Sequence, residues 1–141
     1  MDEKIIKMIE EYNEEKDFFG AVSEKFICKA EEKLGVKFPQ SYRDFVKEYG
    51  SGGICGVDIE GVQENLGASV VKVTERWRQL GLEMNLIVIE DSGEFVRCMY
   101  SANVNDERVF SWSRGGQELS LRYNTFNDYV IDMFQEGIDN L

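Results

Sequence analysis

The stretch AEEKLGVKFPQSYRDFVKEYGSGGICG, residues 30–56, contains the features that decide the fold of this chain. Pro39 is the only proline in the sequence, and its fixed φ suits the first turn of a helix. Gly35 precedes it and can close an earlier helix in the left-handed conformation. After Pro39, apolar residues recur at i, i+3, i+4 and i+7, namely Tyr42, Phe45, Val46 and Tyr49. The stretch therefore predicts one helix that ends near Gly35 and a second, short helix that follows Pro39.

A glycine-rich turn follows the short helix. Gly50 can close that helix, and Gly52 and Gly53 allow a sharp reversal of the chain. The segment from Ile54 to Ile59 then has a strand pattern that ends near Gly61. The glycine spacing partly matches a phosphate-binding loop, but it follows a helix and lacks the lysine and hydroxyl pair of such loops. We therefore interpret these glycines as a structural turn.

Helical patterns flank this region on both sides. On the N-terminal side they run from Glu3 to about Glu15 and from Ser23, a predicted N-cap, to Lys33. On the C-terminal side, the segment from Ala68 to Leu80 fits either a strand or a helix. Its second half contains good helix formers and is followed by Gly81, which can close a helix, so we predict a helix there.

The rest of the chain alternates strands and turns before a last helix. Strand patterns cover 86–90, 95–100, 108–113 and 118–123, and hairpin turns are predicted at 91–94 and 114–117. Thr125 opens an amphipathic helix, whose apolar stripe consists of Phe126, Tyr129, Val130, Met133, Phe134 and Ile138. This order predicts an α+β fold with N-terminal helices, a central, mostly antiparallel sheet of about five to six strands and a C-terminal amphipathic helix, in a single domain over residues 1–141.

Composition excludes several classes of function. The chain contains no histidine, which removes Ser-His-Asp and Cys-His nucleophilic sites as well as histidine-based metal sites. Its formal net charge is −11, so phosphate backbones and anionic membrane surfaces would repel it, whereas a basic protein would be attracted. We expect no nucleic-acid partner, no membrane contact and no cofactor.

The location of the chain and the role of its cysteines follow from the same sequence. No apolar run approaches the ~18 residues of a membrane span, and the charged N-terminal segment cannot be a signal peptide, so we expect a cytoplasmic protein.

The chain contains three cysteines, which are far apart in sequence and odd in number: Cys28, Cys55 and Cys98. They fit small buried hydrophobes or, alternatively, a reactive thiol. We favour the first interpretation, because Cys28 lies on the apolar side of its helix beside Ile27.

Carboxylates supply the candidate site residues. Glu90, Asp91 and Glu94 cluster at the first hairpin, and Asp58 and Glu60 alternate along the predicted strand, which puts both on one face. Such residues can solvate a turn, bind a basic partner, bind a hard cation with further ligands, or act as acid and base.

The two tryptophans are open to two interpretations. Trp77 and Trp112 fit core packing or a partner anchor. Trp112 lies between two serines in an alternating strand and is therefore the better candidate for an open face.

The opening stretch resembles the signature of the SUKH superfamily, named partly for a fungal regulator of glucan synthesis. The matching pattern is an acidic helix, Leu34-Gly35, the Phe38-Pro39 pair, a short aromatic helix with Tyr42 and Phe45, and Tyr49-Gly50 followed by Gly52-Gly53. The resemblance continues more weakly through 86–91 and the last helix, and so covers roughly residues 20–135. It implies that Pro39, Tyr42, Gly50, Gly52 and Gly53 are architectural, and it supplies no catalytic residues.

The resemblance also implies a function. Bacterial SUKH members are immunity proteins of polymorphic toxin systems, which neutralise a secreted or contact-delivered toxin, often a nuclease. For this chain we expect a non-enzymatic antitoxin whose acidic surface, with Asp58, Glu60, Glu90, Asp91, Glu94 and Trp112, meets the basic active site of a toxin. The alternatives are a regulatory or scaffolding module without a toxin partner, as the fungal relatives suggest, and an enzyme that acts through carboxylates. The sequence indicates no oligomeric state.

Overall fold

A computed structural model describes residues 1–115 and 118–141. Gly116 and Gln117, which form half of the second predicted hairpin turn, lie outside the described residues. The described elements, in chain order, are α1 (Glu3–Tyr12), α2 (Glu24–Leu34), α3 (Gln40–Tyr49), α4 (Ser69–Arg78), β1 (Leu86–Asp91), β2 (Phe95–Tyr100), β3 (Val109–Ser113), β4 (Ser120–Tyr123) and α5 (Phe126–Asp139). Within these ranges, no helix is long and apolar enough to cross a membrane.

The strands form one antiparallel sheet in the order β1-β2-β3-β4. Each strand pairs with its neighbour in sequence, as hairpin connections require. The predicted α+β architecture is confirmed, with helices before and after the sheet. The sheet has four strands in the described part of the chain, whereas the sequence pattern suggested five to six.

The missing strand is the one predicted from Ile54 to Ile59. Cys55 and Gly56 both have positive φ, at 53° and 82°, and the Val57 N–H bonds to the Ile54 carbonyl at 3.0 Å, so the chain turns here. Only an isolated bridge joins Gly52 to Ile59. Ile54 and Ile59 are nevertheless fully buried. The apolar alternation therefore reflects two anchors of an irregular segment and not a strand.

The sheet separates two apolar cores. The larger one contains residues from α1, α2, α3 and α5 together with Ile87, Ile89, Met99 and Val109 from the strands. The smaller one lies on the other face, where Val73 and Trp77 of α4 pack on alternate strand residues such as Val88 and Cys98. Because β1 contributes to both cores, it is buried on both faces, as its continuous apolar run predicts.

The connection between α2 and α3 is held by a buried carboxylate. Gly35 closes α2 in the left-handed conformation, as predicted, at φ 69° and ψ 37°. Glu31, which is 3% exposed, accepts a hydrogen bond from the Phe38 N–H at 2.8 Å. Its other oxygen lies 3.4 Å from the guanidinium of Arg43 on α3. Pro39 is the N-cap residue of α3, so the helix begins where the proline predicts.

The glycine corner after α3 brings three backbone segments together. Gly52 has φ 103°, and a Cβ there would overlap the Asp17 carbonyl oxygen. At Gly53 a Cβ would lie 2.7 Å from the Val57 carbonyl oxygen. Gly50 follows Tyr49, has φ 77° and is packed against the Gly20 carbonyl. These positions lack room for a side chain, which agrees with the architectural role that the sequence suggested.

The remaining helix predictions hold with small changes of boundary. The α1 helix ends at Tyr12, before the predicted Glu15. Ser23 is the N-cap residue of α2, although its hydroxyl bonds to Glu64 and not to the helix backbone. The ambiguous segment is the helix α4. Thr125 caps α5, accepting a hydrogen bond from the Asp128 N–H at 3.0 Å.

The cysteines fit the interpretation of buried hydrophobes only in part. Cys98 is fully buried, and burial raises the pKa of its thiol to about 12. Cys55 is partly buried. The prediction for Cys28 is wrong, because its side chain is exposed and its Sγ lies 3.4 Å from the Arg43 guanidinium. Ile27 alone faces the core at this point of α2.

Candidate acidic interaction site

A β-bulge at the end of β1 sets the directions of Glu90 and Asp91. Val88 pairs with Cys98, but Glu90 pairs with Arg97, so Ile89 is an extra residue in the strand. Since directly opposed residues share a face, Glu90 lies on the side of the larger core and Asp91, opposite Val96, on the side of α4. The two neighbouring carboxylates therefore flank the same edge of the sheet from opposite faces.

The last helix holds Glu90. The hydroxyl of Tyr129, whose side chain is fully buried, donates a hydrogen bond to Glu90 Oε1 at 2.8 Å. Burial, with the nearby Glu90 charge, raises the pKa of Tyr129 well above 10, so the hydroxyl stays protonated. The partly buried Glu90 carboxylate is thus fixed in place by a hydrogen bond from the core.

On the opposite face, Asp91 is held by α4 and by its own turn. It forms an ion pair with Arg76 and accepts a hydrogen bond from the Gly93 N–H at 2.9 Å. Burial works against ionisation, but contacts with Trp77, Gly93 and Arg76 outweigh it and lower the pKa of Asp91. Asp91 is therefore a charged residue at neutral pH.

The segment that contains Asp58 and Glu60 lies along the outer edge of β1. The Glu60 N–H donates to the Ile89 carbonyl at 2.8 Å, which uses the backbone group of the bulge. Tyr42, fully buried in α3, donates its hydroxyl to the Glu60 carbonyl at 2.6 Å. The aromatic helix of the opening stretch thus positions this acidic segment.

Glu60 differs electrostatically from Asp91. Burial raises the pKa of Glu60, and repulsion from Asp58 and Asp91 raises it further. Glu60 and Asp91 line one depression beside Arg76, and Asp91 also lines a second depression together with Asp58 and Glu90. The structure therefore brings Asp58, Glu60, Glu90 and Asp91 to one edge of the sheet, which we call the acidic edge.

A depression of about 310 Å³ lies at the acidic edge. Four carboxylates line it, those of Asp58, Glu90, Asp91 and Glu136, and no lysine or arginine is among its described lining residues. It also contains the last turn of α5, with Gly137 and Asn140. A helix C-terminus carries partial negative charge, and the last turn of α5 contains no basic residue to offset it.

Glu136 lines the depression, but the sequence did not predict it as a site residue. It lies 46 positions after Glu90 in the chain and reaches the depression only because α5 packs across the sheet. Within its helix it belongs to the polar side that normally faces solvent, so its sequence position alone gave no signal.

Two predicted site residues stand apart from the acidic edge. Glu94 is exposed at the tip of the β1–β2 hairpin and makes no hydrogen bond or ion pair with the described residues. Trp112 lies on β3, two strands away from β1, or about 10 Å across the sheet. Its ring meets that of the buried Trp77 edge-on, with centroids 6.1 Å apart, and it is partly buried. Trp112 therefore borders the smaller core and does not join the carboxylates.

The acidic edge is not arranged as a metal site. Across residues 1–115 and 118–141, no three Asp, Glu or Cys side chains converge closely enough to hold a metal ion. The carboxylates flank the sheet edge from two faces, and two of them are engaged by Tyr129 and Arg76. What this arrangement offers is a fixed set of negative charges around a concave surface.

Comparison with known proteins identifies the family. The fold resembles that of a crystal structure of a protein from Pseudomonas syringae pv. tomato, with a TM-score of 0.67 over 94% of this chain and 99% of that chain. The sequences are 18% identical, so the likeness concerns the fold alone. A family model, SUKH_5, described as SMI1-KNR4 cell-wall, matches residues 2–135. The chain belongs to this SUKH family, which confirms the resemblance of the opening stretch.

Proposed function

We propose that this chain is a non-enzymatic immunity protein that binds a basic toxin domain, a nuclease, and blocks its active site with the acidic edge. The observation that carries the proposal is the depression lined by Asp58, Glu90, Asp91 and Glu136 without a cation. Membership of the SUKH family agrees with the immunity function that the resemblance of the opening stretch implies.

Electrostatics gives the mechanism of inhibition. A nuclease binds phosphates with lysine and arginine side chains, and carboxylates presented from a second protein can occupy those positions instead. The net charge of −11 attracts such a surface over a distance and speeds the encounter. The attraction weakens with salt, since the screening length falls from roughly 10 Å at about 0.1 M to roughly 3 Å at about 1 M.

The four carboxylates divide into two roles. Asp58 and Glu136 are exposed and form no ion pair with the described residues, so their charges are available to a partner. Glu90 and Asp91 are held by Tyr129 and Arg76, so they need little ordering when a partner binds. A guanidinium or ammonium group entering the depression would therefore meet both the exposed and the fixed carboxylates.

Co-expression tests the proposal. Where a neighbouring reading frame encodes a toxin with a basic C-terminal domain, that domain is expressed in cells with and without this chain, and survival is measured. We expect rescue by the wild-type chain. A chain that binds the toxin domain without rescuing cells would instead be a regulatory or scaffolding module, and turnover of a substrate by the isolated chain would point to an enzyme.

A charge reversal tests the mechanism. The double variant Asp58→Lys/Glu136→Lys changes exposed side chains only, so it leaves the contacts of Tyr129 and Arg76 intact. We expect its association rate with the toxin domain at low salt to fall about tenfold or more. The control Glu10→Lys/Glu48→Lys makes the same change of net charge on exposed residues that do not line the depression. Equal rates for the two double variants would reject the acidic edge as the contact surface.

A further inference from the structure

A second groove, of opposite charge, lies between α2 and α4. Its volume is about 460 Å³. Both helices contribute residues that lie about one turn apart on one helical face. These residues are Phe26, Lys29, Ala30 and Lys33 from α2, and Val71, Lys72 and Glu75 from α4, together with Ala68 at the N-cap position of α4. Small and branched apolar side chains form the floor, together with Val62, and charged residues form the rims.

The charge of the groove contrasts with that of the chain. Lys29 and Lys33 stand on the α2 rim and Lys72 on the α4 rim, against the single carboxylate of Glu75. None of the three ammonium groups forms an ion pair with any residue that the structure describes. The groove therefore carries a local excess of positive charge on a chain whose formal net charge is −11.

The mouth of the groove presents an exposed leucine on an anchored loop. The Leu66 side chain is 74% exposed, and its neighbours Asn65 and Gly67 line the groove. The loop is closed by a hydrogen bond from the Gln63 N–H to the Gly67 carbonyl at 3.0 Å. The Gln63 side chain also accepts from the Ser69 N–H at 2.9 Å, which ties the loop to the start of α4. The groove is therefore preformed, which lowers the entropic cost of binding.

We propose that the groove between α2 and α4 is a docking site for a protein segment that carries a large apolar side chain flanked by acidic residues. The apolar side chain would occupy the floor formed by Ala30, Val62 and Val71. The flanking carboxylates would pair with the lysines on both rims. This site is separate from the acidic edge and does not depend on the function proposed for it.

The geometry favours a peptide segment over a small amphiphilic anion. Lys29 and Lys33 are one helical turn apart, and Lys72 lies on the facing helix, so the three positive charges are distributed along and across the groove. Acidic side chains spaced along a peptide match this distribution, whereas a small anion offers one charge. The acidic edge of a second copy is a poor occupant, because it is itself concave.

A defined probe tests the proposal. The probe is a short fluorescein-labelled peptide with one phenylalanine flanked on both sides by glutamates, and binding to the full chain is followed by fluorescence anisotropy at low salt. We expect Lys29→Glu/Lys33→Glu to weaken binding about tenfold or more, since it reverses two of the three rim charges. The control Lys4→Glu/Lys7→Glu, on exposed positions of α1, should change it less than about twofold. Leu66→Ser, which removes a solvent-exposed side chain, should weaken binding several-fold without affecting folding.

Two further probes and one mapping experiment define the outcomes that would overturn the proposal. A matched peptide with alanine in place of phenylalanine should bind much more weakly, and amide signals of Lys29 and Val71 should shift in NMR spectra when the acidic probe is added. The proposal is wrong if the probe fails to bind the wild-type chain, if both lysine pairs cause equal losses, or if the shifts lie outside the groove. Lysine-dependent binding of decanoate without binding of the peptide would assign the groove to small amphiphilic anions instead.

Discussion

The hydroxyl of Tyr129 donates a 2.8 Å hydrogen bond to Glu90 Oε1 and so connects the last helix to the end of the first strand. The tyrosine is fully buried, whereas the carboxylate reaches the depression at the sheet edge. A second buried tyrosine, Tyr42, makes the equivalent link from α3 to the Glu60 carbonyl at 2.6 Å. Core aromatic residues thus hold the acidic edge from beneath, and its geometry depends on how the helices pack.

Replacing Tyr129 with phenylalanine tests this link. Tyr129→Phe keeps the ring and removes only the donor, so the free energy of unfolding should fall by about 1–2 kcal/mol. Urea denaturation measures the change. The control is Tyr123→Phe, whose hydroxyl donates to the exposed Asp132 carboxylate at 2.6 Å and should matter less. Equal losses for the two variants would show that burial of the hydrogen bond has no effect.

The same tyrosine predicts a dependence on alkaline pH. Its pKa is raised by burial, so the folded state holds the proton after the unfolded chain has lost it. The contribution to stability is complete below the unfolded value of 10 and is lost as pH rises through the folded pKa. Stability should therefore decline above pH 10, and less steeply in Tyr129→Phe. Identical slopes in the two proteins would contradict the assignment.

Two neighbouring carboxylates of the acidic edge should respond to substitution with opposite signs. Burial raises the pKa of Glu60, so its charge opposes folding at neutral pH, and Glu60→Gln should raise the unfolding free energy at pH 7. The gain should disappear below the ordinary value of 4.5, where glutamate is neutral in both states. Urea denaturation over a range of pH measures it.

For Asp91, we expect the unfolding free energy at pH 7 to change in the opposite direction. Its folded pKa is lowered, so the aspartate supports folding above the ordinary value of 3.8, and this support is lost as pH falls through the folded pKa. Asp91→Asn should therefore destabilise the protein at pH 7 and match the wild type in strong acid. A change of the same sign at Glu60 and Asp91 would refute this account of the acidic edge.

Removing the buried Glu31 carboxylate should be costly. Glu31→Ala leaves the Phe38 N–H without its acceptor and takes one of two carboxylate partners from Arg43. We expect a loss of about 2–3 kcal/mol in urea denaturation, the range for an unsatisfied buried polar group. Glu32→Ala, at the adjacent exposed position, should change stability by less than about 0.5 kcal/mol. Comparable effects at the two positions would show that the α2–α3 connection does not need its carboxylate.

Gly61 lacks space for even one carbon atom. A Cβ at this position would overlap the Gly50 carbonyl, so Gly61→Ala should force the two backbone segments apart. The expected loss is about 3 kcal/mol or more, at the upper end for overpacking. Gly56→Ala provides the comparison, because a Cβ there meets open space and only the backbone conformation is strained. Thermal unfolding of both variants distinguishes them, and a smaller loss at Gly61 than at Gly56 would be the contrary result.

Local signals predicted the helices well. Gly35, Pro39 and Thr125 act within one helical turn, so their effects are visible in the sequence. The segment from Ile54 to Ile59 was mistaken for a strand because apolar alternation does not reveal that Cys55 has a positive φ. Cys28 was placed inside because it follows Ile27, but adjacent residues of a helix do not share a face. The buried face of α2 repeats at Ile27, Ala30 and Leu34, and Cys28 lies outside it.

The acidic edge shows where sequence reasoning reaches its limit. Glu90 and Asp91 were found because they follow a buried strand, and Asp58 and Glu60 because they are close together in the chain. In the structure, the two pairs lie together because the Glu60 N–H bonds to the Ile89 carbonyl at the bulge. This contact is long-range in sequence, so local patterns did not reveal it. Trp112 was grouped with the carboxylates although β2 separates it from them. The groove between α2 and α4 likewise exists only through tertiary packing.

The extra residue at Ile89 has a consequence for how relatives of this protein could diverge. Deleting that residue would join Val88 directly to Glu90 and leave Glu90 opposite Arg97 and Asp91 opposite Val96, so both acids would keep their present faces. Such a relative would lose a fully buried side chain and the carbonyl that now accepts the Glu60 N–H. It could keep Glu90 and Asp91 in place while the chain that carries Asp58 and Glu60 comes loose from the sheet.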